Sequence, residues 1–293
     1  MIFSKISLIF ALIFFLSSCS KVDSIYSSLY ENNKNSSYLI GIGSSSNLNE
    51  SKLFALNDLV SQISLDISSS LNLESKLVDS KSNKKLDNNI KINVNDITLD
   101  GVEFVNIDKT NGIFFVKASI EKKKVINFLN ELINEYISLA FEVVNEIKAS
   151  NCSSILPKQK NTLQDLLNKI SSANRKILAL DGVENLTPSI IKEFYSLPLA
   201  AYYESTNIDN VINKVLMGEY SKFFDISTKN KNIYKIHSFY SKDSSNRIDF
   251  RTNIIDCNGN TVFSAKIDNE SSIDRLKVRL YKSLLDYSLN QSY

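Results

Sequence analysis

His237 is the one histidine in a chain of 293 residues. A lone imidazole cannot assemble a histidine-based metal site, and no cysteine or carboxylate cluster has ligand spacing, so no metal centre is expected. The alternation of Ile233–Tyr240 puts His237 on the same strand face as Lys235, the solvated one. Serines are abundant, but no G-x-S-x-G elbow frames one as a nucleophile. Ser44, Ser45 and Ser46 therefore read as turn and helix-entry residues. Gly41 and Gly43 close a short apolar stretch, Tyr38–Ile42, and invite a phosphate-loop reading, because glycine lets backbone amides approach an anion. Ser46 occupies the place of the third glycine, however, and no Lys-Ser or Lys-Thr pair follows. A tight turn or close packing is the competing use of two such glycines. Carboxylates are plentiful, yet no pair stands out for glycan chemistry. The residues thus point away from an enzyme, with no catalytic residue and no cofactor expected. Tyr202-Tyr203 fits either a partner-binding platform or half-buried structural tyrosine.

Composition sets the next bounds. The chain is long enough for one or two domains with real cores, and 43% hydrophobic with 23% charged residues is ordinary for a globular protein. Its 34 basic and 32 acidic residues are well mixed, which argues against a nucleic-acid partner, since that needs a basic patch to neutralise phosphates. The abundance of Ser, Asn, Lys and Ile is what an AT-rich genome produces. At the N-terminus Lys5 supplies a positive start, Ile6–Leu16 is apolar apart from Ser7, and Leu16-Ser17-Ser18-Cys19 follows. The apolar run is too short to span a bilayer, so residues 1–18 read as a signal peptide. The pattern resembles the lipobox of bacterial lipoproteins, which implies cleavage before Cys19 and acylation of its thiol and new amine. Ser20 follows, not the aspartate that holds many lipoproteins at the inner membrane. The implied site is the outer membrane, lipid-anchored through Cys19 and facing the periplasm. An oxidising periplasm permits a disulfide between the remaining cysteines, Cys152 and Cys257; two separate thiols are the alternative.

The elements that must position these residues follow from periodicity. Residues 19–36 are polar and read as a tether. In residues 37–127, Leu53, Leu56, Val60, Ile63 and Ile67 step by three and four and mark a long amphipathic helix. Asn47 and Glu50 make a capping pair for it. Glu74–Lys91 reads as a polar excursion. Strands are expected at Ile90–Leu99, Val102–Lys109 and Ile113–Ile120, with Asn111-Gly112 as the hairpin turn. The order β-α-β-β-β suits an antiparallel sheet with the helix on one face. A helical hairpin follows, over 128–182 with its first turn reaching back to 121. The apolar stripe of its first helix is wide enough to be buried on more than one side. Pro157 opens the second helix and Asp181-Gly182 stops it. Residues 183–293 read as a second small α/β domain. Thr187-Pro188 starts a helix, a second helix covers about Ile208–Met217, and strands lie at Ile233–Tyr240, Arg247–Asp256 and Thr261–Ile267. A C-terminal helix over about Ser271–Leu289 ends the chain. In the middle strand Ile248, Phe250, Thr252 and Ile254 share one face, against Arg247, Asp249, Arg251 and Asn253.

Strand, Gly-x-Gly, polar turn, then a helix carrying Ala55, Asp58-Leu59 and Gln62-Ile63 resembles the Lpp-twenty family of outer-membrane lipoproteins, over about residues 37–127. Members include subunits of flagellar basal-body disks and rings. In this chain Leu53, Phe54, Leu56 and Asn57 fill helix positions that the family usually gives to alanine and arginine. The order of the C-terminal elements is similar to modules of periplasmic assembly lipoproteins and flagellar ring proteins. The resemblance implies an α+β chain with a structural or assembly role in the cell envelope, associated with the flagellum, whose partners are its own copies or envelope and flagellar proteins. The alternative is a periplasmic binding or activating lipoprotein that contacts an envelope enzyme or the cell wall.

Overall fold

A computed structural model describes residues 37–63, 89–94, 97–208, 210–227, 232–245 and 247–289. The signal peptide, the tether with Cys19, Ile67 and the excursion from Glu74 as far as residue 88 lie outside them. The described residues form six helices and two sheets, an α+β architecture. The chain divides into two compact units, Met1–Leu132 with Ser172–Glu184 and Ile133–Ser171 with Asn185–Tyr293.

In the first unit β1 (Tyr38–Ser45) leads into α1 (Leu48–Ile63), and β2 (Asn89–Val94), β3 (Ile97–Thr110) and β4 (Ile113–Glu121) complete an antiparallel sheet of order β1-β4-β3-β2. This is the expected β-α-β-β-β order, with one boundary moved. The break between the second and third strands falls between Val94 and Ile97, which face each other across the hairpin, and not at Asp100-Gly101. Gly101 lies inside β3 at φ +91°, a conformation open to glycine without strain, so the strand runs through it. The helix buries Ala55, Leu56, Leu59 and Val60, while Leu53 is only half-buried. The stripe is therefore rotated from the expected one toward the small residue Ala55. Asn47 caps the helix: its Oδ1 accepts from the Asn49 amide at 2.8 Å and the Glu50 amide at 3.4 Å. Glu50 does not reach back to the Asn47 amide as a capping box requires. Ser45 stands between them, its hydroxyl donating to Glu50 Oε2 at 2.6 Å and accepting from the Asn47 amide at 3.1 Å.

Helices α2 (Lys122–Ala149) and α3 (Pro157–Ala179) each run from one unit into the other. Within the first unit α2 buries Val125, Phe128, Leu129 and Leu132, and α3 buries Ala173 and Ile177. Pro157 opens α3, where its missing N–H costs nothing. The stop is a Schellman turn in which Asp181, not Gly182, takes the left-handed conformation, at φ 63°. The Gly182 amide returns to Ile177 O at 2.8 Å and the Asp181 amide to Leu178 O at 3.1 Å.

The second unit is built on a mixed sheet of order β6-β5-β7-β8-β9: β5 (Ala200–Thr206), β6 (Asp225–Ser227), β7 (Tyr234–Lys242), β8 (Ile248–Ile255) and β9 (Thr261–Glu270). β5 runs parallel to β6 and β7, and the rest of the sheet is antiparallel. Neither β5 nor β6 follows from the sequence pattern; β6 is three residues long, and β5 begins Ala-Ala. Helices α4 (Ser189–Tyr195), α5 (Asn210–Tyr220) and α6 (Ile273–Leu289) complete the unit. Pro188 itself is the N-cap of α4 and no side chain caps it, so Thr187 does not play the expected part. The core joins Ile212, Leu216 and Tyr220 of α5 and Leu276, Leu280 and Leu284 of α6 to Ile236, Ile248, Phe250 and Ile254 of the sheet. Here α2 and α3 bury Ile133, Tyr136, Ala140, Val143, Val144 and Ile147 with Leu163, Leu166 and Ile170.

Candidate functional site

The five-stranded sheet has one covered face and one wet face, and the wet face gathers the side chains with chemistry. The strict alternation of β8 sets it: Ile248, Phe250, Thr252 and Ile254 are buried, while Asp249 and Arg251 are exposed. Register then carries the rows across the strands. Glu204, His237, Asn253 and Ser264 stand side by side, and Thr206, Phe239, Arg251 and Lys266 form the next row. The His237 ring packs against Phe239 with centroids 4.1 Å apart, and its Nε2 lies 3.0 Å from Thr206 Oγ1. Phe239 is 38% exposed. Lys235 pairs with Glu204, and its hydrogen bond holds the Glu204 carboxyl below the usual range. The face therefore offers one aromatic-imidazole step flanked by guanidinium, amide and carboxylate groups. Such a mixture suits recognition of a polar partner, where aromatic bodies supply area and polar tips supply direction. Tyr202 points to this face and Tyr203 to the core, so the dipeptide is divided between the two readings weighed for it.

The covered face holds a polar cluster that sequence reasoning did not pick out. The Tyr220 hydroxyl, fully buried at the end of α5, donates to Thr252 Oγ1 at 2.7 Å and lies 2.9 Å from Ser238 Oγ. Ser238 and Thr252 are opposite each other in the β7–β8 ladder, so one phenol satisfies a pair of buried hydroxyls. Burial pushes the Tyr220 phenol far above its usual range, which keeps it a neutral hydrogen-bonding group. The signal in the sequence was Thr252, a hydroxyl on an otherwise apolar strand face.

The other singled-out residues fall in three places. The glycine pair marks a packing contact. A Cβ on Gly41 would overlap Ala55 O and Leu59 N, and one on Gly43 would overlap Ser51 O and Ala55 N. The two glycines let α1 lie directly on β1, and they do not cradle an anion. Asp58 of α1 then accepts from the Ile42 amide at 2.9 Å, which occupies one donor on the outer edge of this edge strand. Ser51 is buried between helix and sheet, 3.0 Å from Phe114 O. Cys152 and Cys257 are brought together as a disulfide with Cα atoms 5.3 Å apart, joining the α2–α3 connector to the β8–β9 turn. Asn258 reinforces the junction by donating to Ala149 O at 2.6 Å, and Asn232 donates to Asn151 O at 2.8 Å. Among the described residues no group of three His, Cys, Asp or Glu side chains is placed to hold a metal, and no helix is long and apolar enough to cross a membrane.

Residues 198–282 match the family described as LPP20 lipofamily protein, C-terminal domain (HP1454-like). The lipoprotein family resembled by residues 37–127 is thus met in the second unit, on the module that carries the wet sheet face. No curated protein matches the chain by sequence. Among solved structures, the secreted protein HP1454 from the human pathogen Helicobacter pylori is similar in fold, at 20% identity and a TM-score of 0.51, over 86% of this chain and 98% of that one.

Proposed function

We propose that the chain is a non-enzymatic outer-membrane lipoprotein, anchored through Cys19, that serves as a structural or assembly subunit on the periplasmic side of the envelope. The Leu16–Cys19 lipobox carries the reading, and the lipofamily match at 198–282 supports it. Acylation at more than one position gives stable anchoring where a single chain would be marginal. A flagellar disk or ring is the assembly that the resemblance of residues 37–127 implies.

The second reading, a periplasmic protein that binds or activates an envelope enzyme or the cell wall, is favoured by the wet face around His237, Phe239 and Arg251. Native size after mild detergent extraction, with mass spectrometry of what accompanies the protein, separates the two. A large particle, homomeric or bearing flagellar components, is expected for the assembly subunit. A monomer that brings an envelope enzyme with it turns the reading to the activator.

A further inference from the structure

The described chain begins at Ser37, and its carbonyl accepts the amide of Lys122 at 2.8 Å. The segment from Cys19 therefore enters the first unit beside the start of α2. That start is Lys122-Lys123-Lys124, with no acidic residue in the turn. Three lysines at a helix N-terminus oppose the helix dipole, so local helix stability does not account for them. Lys123 and Lys124 are exposed. Lys122 lies 3.7 Å from Asp181, which brings the 181–183 turn to the same end. Two apolar or amphipathic side chains are exposed there: Tyr38, 46% exposed and opposite Glu121 in the ladder, and Val183, 85% exposed. Among the described side chains, Glu121 precedes the lysines, Asp181 and Glu184 belong to the stretch that follows α3, and Lys176 stands in the last turn of α3.

We propose that this end of the first unit, Tyr38 and Val183 framed by Lys122, Lys123 and Lys124, docks on the anionic lipid surface in which Cys19 is anchored. The inference rests on the lipoprotein reading. The path from Cys19 to Ser37 is 18 residues, so the patch stays within about 60 Å of the bilayer however that segment runs. Lysine heads meet lipid phosphates, tyrosine suits the headgroup layer, and valine reaches the acyl boundary. Acyl chains with a basic patch make a two-signal anchor. The consequence is orientation: the first unit sits end-on to the membrane.

The chain contains no tryptophan, so Tyr38→Trp introduces a single reporter. The acylated full-length protein is reconstituted in phosphatidylcholine vesicles with and without phosphatidylglycerol, with brominated lipid as quencher, and vesicle flotation is scored in parallel. The expected result is quenching of the indole in anionic vesicles, weakened about fivefold for each of Lys123→Gln and Lys124→Gln and by high salt, while flotation is unchanged. Val183→Trp repeats the measurement at a site whose side chain is in solvent. Flotation without quenching at either site, or quenching indifferent to Lys123→Gln and Lys124→Gln, overturns the docking surface and leaves the anchor standing. Emission that shifts with protein concentration in detergent, with no quenching in vesicles, assigns the patch to a second copy and also overturns it. Flotation that survives Cys19→Ala removes the anchor reading, and the inference falls with it.

Discussion

The two units close their sheets by opposite means. In the first, α1 lies so near β1 that side chains must be absent: Gly41 and Gly43 leave room for the backbone of Ser51, Ala55 and Leu59. The partners are close in sequence, Ile42 and Asp58 being 16 residues apart, so closing that loop costs little chain entropy. In the second, the sheet is covered by large side chains, and the α2–α3 connector is joined to the β8–β9 turn across 105 residues by Cys152–Cys257. A contact at that separation has no local help, and a covalent link supplies it by restricting the unfolded chain. Short-range closure is achieved by removing atoms and long-range closure by adding a bond. Each device is therefore expected to fail only in its own unit.

The sharpest way to break that contrast is Gly41→Ala. The new methyl meets backbone on α1, which no rotamer change can relieve, so the loss should exceed the ~1–3 kcal/mol of ordinary overpacking. Urea unfolding gives the size, and amide exchange gives the place: α1 and β1 lose protection while β7–β9 keep theirs. A loss under about 1 kcal/mol, below that overpacking range, or one shared equally by both units, would show that the close approach does not hold α1. Next comes the double change Cys152→Ala with Cys257→Ala, expected to cost about 2–4 kcal/mol and to raise exchange in the connector and the β8–β9 turn. Reduction of the unchanged protein should give the same pattern. If α1 and β1 also lose protection, the two units are one cooperative body and the comparison dissolves.

What the sequence revealed and what it hid follow the same division. Alternation in β8 and the three-and-four spacing of α2, α3 and α6 were legible because each element repeats its buried apolar positions at its own backbone period. The parallel strand β5 was not: Ala-Ala-Tyr-Tyr-Glu-Ser-Thr has no apolar rhythm, since the small Ala201 faces the core while the larger Tyr202 lies on the wet face. The glycine pair admitted a packing reading and an anion reading, and only the position of α1 decides between them. Cysteine spacing likewise left Cys152 and Cys257 open, because pairing depends on a Cα separation that a sequence separation of 105 does not determine. For the wet face, register was the missing quantity. Nothing in the order of residues says that Glu204 stands beside His237, or Arg251 beside Phe239.

The smallest effect tests how local the first unit's closure is. Asn47 Oδ1 accepts the first free amides of α1, and Ser45 relays Glu50 to the Asn47 amide. Asn47→Ala removes the acceptor for two helix amides and should cost about 1 kcal/mol, as N-cap losses do. Ser45→Ala removes only the relay. Its amide and carboxylate both face water at this exposed turn, so the cost should be a few tenths of a kcal/mol, below that of a buried hydrogen bond. The order of the two variants in the urea midpoint is the measurement. If Ser45→Ala costs as much as Asn47→Ala, the relay is an integral part of the cap, and the entry to α1 depends on three side chains acting together. If Asn47→Ala is the more costly, the cap is a single acceptor, and the glycine contact behind it carries the rest of the helix onto the sheet.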